Sequence, residues 1–357
     1  ITPQLLPAVV STSLATGSRR LAEKKVLVKR LVCIEDLGDI DVLFTDKTGT
    51  LTDGHISFER ATDVAGHDSA DVFTLGLVCN EATPTGDTAV GGNALDVALW
   101  EAPGAPASPI GDFRRIAIAP FDHERRCVSV LVDRDGQRLL VTKGAPETVL
   151  ERCTDVSDEA HGVLDAEFSA GNRVVAIASR PAPELTTVTG DDEHDLTLAG
   201  FLVFLDQPKP SAAASIARLG ELGITVKIVT GDNPLVAETV CRTLGVDSHG
   251  TLTGADLDTL DDAQFTARVH DATIFARVSP EQKARILRAQ RDAGSAVAFL
   301  GDGVNDALAL HHADVGISVD SATDVAKDAA DIILLERDLD VLADGVALGR
   351  HGRRRRR

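Results

Sequence analysis

Asp46 opens the run Asp46-Lys47-Thr48-Gly49-Thr50-Leu51-Thr52, directly after a short apolar stretch from Ile40 to Phe44. The length and β-branched content of that stretch predict a buried strand that ends at Thr45-Asp46. A carboxylate at the C-terminal end of such a strand stands where open α/β sheets bind their ligands. It can attack a phosphorus atom and form an acyl phosphate. The plain rival is an ordinary turn, which does not require seven specified residues in this context.

The elements that must position Asp46 lie far along the chain. From Gly200 onward, strand and helix alternate. FLVFL (201–205) leads to an Ala-rich helix at 211–222, and ITVKIVT (224–230) leads to a helix after Pro234. ATIFA (272–276) precedes a helix from Pro280, and AVAFL (296–300) precedes one near Asp306. Repeated βα units predict a parallel sheet covered on both faces, to which the strand at 40–45 also belongs. Residues 60–195 then form an insertion. Its patches CVSVLV (127–132) and VVAIAS (174–179) read as strands of an antiparallel sheet with helices around it.

In the run from Asp46 to Thr52 the chain resembles the P-type ATPases, within the wider haloacid-dehalogenase superfamily. The resemblance continues in order. Thr230-Gly231-Asp232 ends the ITVKIV strand, where a hydroxyl and backbone N–H groups could hold the transferred phosphoryl group. Lys283 looks like the family's charge-neutralising lysine. Gly301-Asp302-Gly303-Val304-Asn305-Asp306 looks like its hinge-and-magnesium motif. The match implies that Asp302 coordinates Mg²⁺ beside Asp46 and the Thr48 carbonyl oxygen, with Asn305 and Asp306 supporting the site. Phosphate and water oxygens would complete the octahedron that this hard cation prefers. Taken singly, each motif has a bland counterpart: a loop, a solvated lysine or a turn cap.

Phosphatases of the superfamily usually carry a second Asp two residues after the nucleophile. Here that position is Thr48. Without a carboxylate to activate water the acyl phosphate should persist, which suits a pump better than a phosphatase.

In the insertion, Lys143-Gly144-Ala145-Pro146-Glu147 resembles the family's adenine-pocket motif, and Phe121 matches the aromatic residue that stacks on adenine. Asp96 and Arg173 match the acidic and basic residues lining that pocket, with core packing and a surface ion pair as the plain rivals for Phe121 and Arg173. Asp206 resembles the hinge element where the chain re-enters the phosphorylation domain. ATP and Mg²⁺ are the implied cofactors.

The opening ITPQLLPAVVSTSLATG, the basic KKVLVKRL and the segment 313–341 resemble the bacterial magnesium-importing branch. That resemblance implies a transported cation, Mg²⁺, and attachment to a membrane through segments outside this chain. It also implies a place at the cytoplasmic face of a bacterial plasma membrane, with this piece itself soluble. The expected organisation is 1–37 as the end of a fourth membrane helix and stalk, and 38–60 as the first part of the phosphorylation domain. The nucleotide-binding domain takes 61–197, the rest of the phosphorylation domain 198–345, and a basic tail 346–357. The chain departs from the family at Leu308, Gln207 and Pro210, where Pro, Pro and an acidic residue are usual, and none of these removes a catalytic group.

Composition excludes several classes. A net charge of −19 argues against binding nucleic acid, which needs a basic footprint. Five scattered cysteines without a CxxC pair fit a reducing compartment, not a disulfide framework or a zinc site. No window carries the roughly 18 apolar residues of a membrane span. The first residue is not Met, which reads as a piece of a longer protein. The expected fold is α/β: a haloacid-dehalogenase-like Rossmannoid parallel sheet with an inserted α+β antiparallel-sheet nucleotide-binding domain. The expected function is ATP-dependent phosphorylation on Asp46. A superfamily phosphatase and a non-catalytic ATP-binding module are the rivals.

Overall fold

In the computed structural model, Val42–Thr45 is buried along its whole length and is flanked on both sides by parallel strands. The structure describes residues 5–47, 49–85, 88–105, 112–122, 124–336 and 338–354. Thr45 pairs with Leu300 on one side and Ile228 on the other, so both neighbours end within one residue of Thr45. The sheet runs in the order Val26–Val28, Ile332–Leu334, Val315–Val319, Val297–Leu300, Val42–Thr45, Thr225–Val229, Ile274–Ala276, Thr251–Thr253. All of its pairings are parallel except the first, where Val26–Val28 runs antiparallel along the edge.

Burial drives this arrangement. Phe44, Phe275 and Phe299 are fully buried on three of the strands, and apolar stripes of the surrounding helices close over them. Ala212–Glu221 contributes Ile216 and Leu219, and Pro280–Asp292 contributes Ile286 and Leu287. Continuous apolar strands are what a sheet covered on both faces requires.

One cation lies inside this core. Lys227 donates to the carbonyls of Val269 and His270, at the end of helix Asp262–Asp271, and to Gln290 Oε1. Burial pulls its ammonium down to about 8 from the ordinary 10.5, against the raising influence of Asp271. A folded-state value below the unfolded one means that the unfolded chain holds more protons between the two. Stability from this group therefore rises with pH across about 8 to 10.5, and the cost of burying the charge is fully present below that window. The melting temperature of Lys227→Met should lack that rise, which a pH series of thermal melts measures.

His55–Asp206 forms a second compact unit, and residues 1–54 and 207–357 form the first. These limits differ from the 61 and 197 expected from sequence. The second unit is built on a six-stranded sheet ordered Thr52–Thr62, Thr197–Pro208, Arg173–Pro181, Gln137–Gly144, Cys127–Arg134, Arg114–Asp122. Val128, Val130, Val141, Ile177 and Leu202 form its separate core, with Leu77 and Leu99 from helices Ala70–Val78 and Ala94–Trp100.

FLVFL corrects the sequence reading. It was expected to open the parallel sheet, but it lies in Thr197–Pro208 and pairs antiparallel with Arg173–Pro181. Phe201 to Phe204 are all fully buried. A strand covered on both faces loses its alternation and then reads like a parallel one.

Leu5–Glu23 is a helix, and among the described residues no helix is long and apolar enough to cross a membrane. Part of the opening segment and the last arginines lie outside the described residues.

Candidate active site

The Asp46 N–H donates to Leu300 O at 3.1 Å, which carries the central strand's hydrogen bonding one residue past its end. Its carboxylate then faces a cleft of about 340 Å³ lined by Gly49, Gly231, Lys283, Asp302, Asn305 and Asp306, among others. Asp46 Oδ1 accepts the Lys47 N–H at 2.7 Å, and Oδ2 lies 2.7 Å from Lys283 Nζ.

Lys283 is delivered by a strongly specified helix start. Ser279 caps the N-terminus of Pro280–Asp292 with a reciprocal bond to Gln282, and Pro280 occupies the first turn. An ammonium in the first turn opposes the helix dipole. Here two carboxylates hold it, since Lys283 Nζ also lies 2.8 Å from Asp306 Oδ1. Burial alone would lower the Lys283 pKa, but Asp46 and Asp306 outweigh it and raise it. Asp46 itself is pushed up, first by burial and then by the Asp306 and Asp232 carboxylates, with Lys283 pulling the other way.

Asp306 also shapes the loop before it. Its Oδ2 accepts the N–H groups of Asp302 and Gly303 at 3.2 and 3.1 Å. A Cβ on Gly301 would stand 2.7 Å from Asp306 Cβ, so the close approach demands glycine there. On the other side of the strand, Lys47 Nζ pairs with Asp232 Oδ2 at 2.8 Å with its side chain almost wholly buried. Thr230, at the end of its strand, is buried, and its hydroxyl accepts the Asp232 N–H.

The structure thus gathers Asp46, Lys47, Thr230, Gly231, Asp232, Lys283, Asp302, Asn305 and Asp306 around one strand end. Thr48 lies outside the described residues. Sequence reasoning missed Lys209, whose ammonium donates to the carbonyls of Gly49 and Thr50 at 3.1 and 2.9 Å and pins the loop after the nucleophile.

The carboxylates of Asp46, Asp232, Asp302 and Asp306 outnumber the ammonium groups of Lys47, Lys283 and Lys209 here. An oxygen-rich, negative pocket fits a hard divalent cation. Among the described residues no group of three or more His, Cys, Asp or Glu forms a ready-made cage. Mg²⁺ takes one or two carboxylates and fills its octahedron with phosphate and water.

In the inserted unit, strand registers bring Phe121, Lys143 and Arg173 to the same end of the sheet. Asp122 pairs with Cys127, Cys127 with Gly144, and Lys143 with Ile177 of the strand that Arg173 opens. Phe121 is 40% exposed, and Lys143 is buried in an ion pair with Asp96, which is itself fully buried. Glu81 joins the two parts, donating its N–H to Asp96 Oδ2 and accepting the Phe121 N–H. Gly144 has no room for a side chain, with Arg126 O at 2.6 Å from where a Cβ would stand. Asp206 is buried where the chain leaves the unit, two residues beyond Phe204, the partner of Arg173.

Known proteins resemble this chain closely. Residues 40–314 match the family model for haloacid dehalogenase-like hydrolases. The magnesium-transporting ATPase, P-type 1, of Salmonella typhimurium is 42% identical over 98% of this chain and 40% of its own length. Its Escherichia coli counterpart is 40% identical over the same shares. Calcium-transporting ATPase 1 of Lactococcus lactis is 32% identical over 98% of this chain and 43% of its own. The chain thus spans about 40% of the length of the curated magnesium-transporting relatives it matches. A carboxylate at the end of the central parallel strand, braced by a lysine from a later helix, agrees with the family match, and the chain belongs to the haloacid dehalogenase-like hydrolases.

Proposed function

We propose that this chain is the ATP-binding and phosphorylation part of a P-type cation pump, and that Asp46 is its phosphorylated residue. The observation that carries the proposal is the Asp46 carboxylate facing a cleft with Lys283 at 2.7 Å and no acid two residues onward. The names of the relatives support the pump class and Mg²⁺ as cargo. Membrane passage itself belongs to segments outside this chain.

The inserted unit would hold the base of ATP near Phe121 and Lys143, and Asp46 would take the γ-phosphoryl group of ATP. One Asp46 oxygen attacks phosphorus in line, the bond to the bridging oxygen breaks, and ADP leaves with the electron pair. Lys283 favours the ionised form of Asp46 against the effect of burial and meets the charge that develops on the phosphoryl oxygens. Gly231 lines the cleft without a side chain, and the Thr230 hydroxyl, already accepting from Asp232, keeps a donor of its own. Asp302, Asp46 and the Thr48 carbonyl would hold Mg²⁺, which lends electrostatic stabilisation to the phosphoryl oxygens. Lys209 and the Lys47–Asp232 pair stiffen the loop that carries the nucleophile.

Incubation with γ-labelled ATP and Mg²⁺, followed by an acid quench, should leave label on the protein that hydroxylamine removes. Rapid turnover of small phosphate esters without trapped label would favour a phosphatase instead. ATP binding with no label at any time would favour a binding module.

A further inference from the structure

Among the buried carboxylates of the inserted unit that the phosphoryl chemistry leaves unused is Glu193. It follows the short turn Gly190–Asp192, and its side chain is fully buried. It accepts from Arg125 Nη1 and from the Ser129 hydroxyl, and the Cys127 thiol lies 3.3 Å from Oε2. Arg152 Nε stands 3.7 Å away. A buried carboxylate persists only when paired and hydrogen-bonded in this way. Cys127 and Ser129 alternate with Val128, the cross-strand partner of Lys143. Glu193 therefore lies under the sheet face opposite the one that carries Lys143 and Asp96.

Arg125 spans the end of the sheet between these faces. Its Nη2 donates to Pro120 O at 2.7 Å, and its backbone N–H donates to Asp122 Oδ1 at 2.8 Å. The residues on both sides of Phe121 are thus tied to an anchor beneath the sheet. The turn closes with the Arg126 N–H on Asp122 O, and Arg126 O accepts the Ala145 N–H next to Gly144. The Phe121 turn and the Lys143-Gly144-Ala145 turn are held as one piece.

We propose that Arg125, held by Glu193, is a positioning residue that sets the Phe121 turn for a nucleobase. The inference rests on the reading that a nucleotide occupies this end of the sheet. Only a planar fork serves both Glu193 and the Pro120 carbonyl from fixed directions, and a lysine ammonium keeps the charge but not that geometry.

The test uses the whole chain and measures ATP affinity by displacement of a fluorescent ATP analogue. Arg125→Lys should weaken ATP about tenfold while leaving the affinity for inorganic tripolyphosphate, which has no base, unchanged. In a Phe121→Ala background the same substitution should cost no more than about twofold, because coupled residues are not additive. Equal losses for ATP and tripolyphosphate, or a full loss added to that of Phe121→Ala, would overturn the inference and leave a fold staple. If Phe121→Ala weakens ATP and Arg125→Lys does not, the inference alone falls. If Phe121→Ala leaves ATP affinity unchanged, the nucleotide-site reading itself fails. Should Arg125→Lys melt at a much lower temperature, Glu193→Gln keeps the shape of the anchor with a weaker hold. It should show the same loss confined to base-bearing ligands, and its absence would overturn the inference.

Discussion

Lys283→Ala should lower the rate of phosphorylation by about 10²–10³-fold, the scale of losing one group aimed at developing oxyanion charge. Two separate effects combine. Lys283 is a preorganised cation 2.7 Å from the attacking carboxylate, and its charge favours the ionised nucleophile. Without it Asp46 becomes still harder to ionise, so less of the protein is reactive at a given pH. The pH–rate profile of the variant should therefore move to the alkaline side. The second effect is on stability. Asp306 is almost fully buried and would lose its cationic partner, a change that typically costs about 3–5 kcal/mol. Proton uptake by Asp46 would offset part of this at low pH. Rapid-quench labelling across a pH series, with thermal melts beside it, reads both effects. An unaltered profile would mean that Lys283 is a structural counter-ion only.

Thr48→Asp should shorten the life of the phosphorylated form by about 10²-fold or more, the usual range for adding a general base. Attack by Asp46 does not need an acid at this position, but hydrolysis of the acyl phosphate needs water to be activated. The variant should accumulate less label at steady state and release phosphate faster, while binding ATP as before. A chase of labelled protein with unlabelled ATP measures the decay directly. If wild type and variant decay alike, the identity of residue 48 does not set the lifetime.

What could be read in advance followed the range of the interactions involved. The central strand and Asp46 were plain because a short β-branched run and a seven-residue motif adjoin in sequence. The helix from Pro280 was equally open, since a proline at the first helical position marks such a start locally. Lys209 was not, because the carbonyls that it grips lie about 160 residues earlier and no local pattern marks them. Glu193 lay hidden for the same reason, paired across more than 60 residues with Arg125 and Ser129. FLVFL was assigned to the wrong sheet because burial on both faces erases the alternation that distinguishes sheet types. The short edge strand Thr251–Thr253, polar at both ends, offered no hydrophobic run to read.

Trapping the modified residue tests the central claim most directly. The chain is phosphorylated with ATP and Mg²⁺, then reduced with borohydride, which converts an aspartyl phosphate to homoserine, and digested for peptide mass spectrometry. Homoserine at position 46, absent from Asp46→Asn, is the predicted result. Homoserine at any other aspartate, or label that survives in Asp46→Asn, would contradict it.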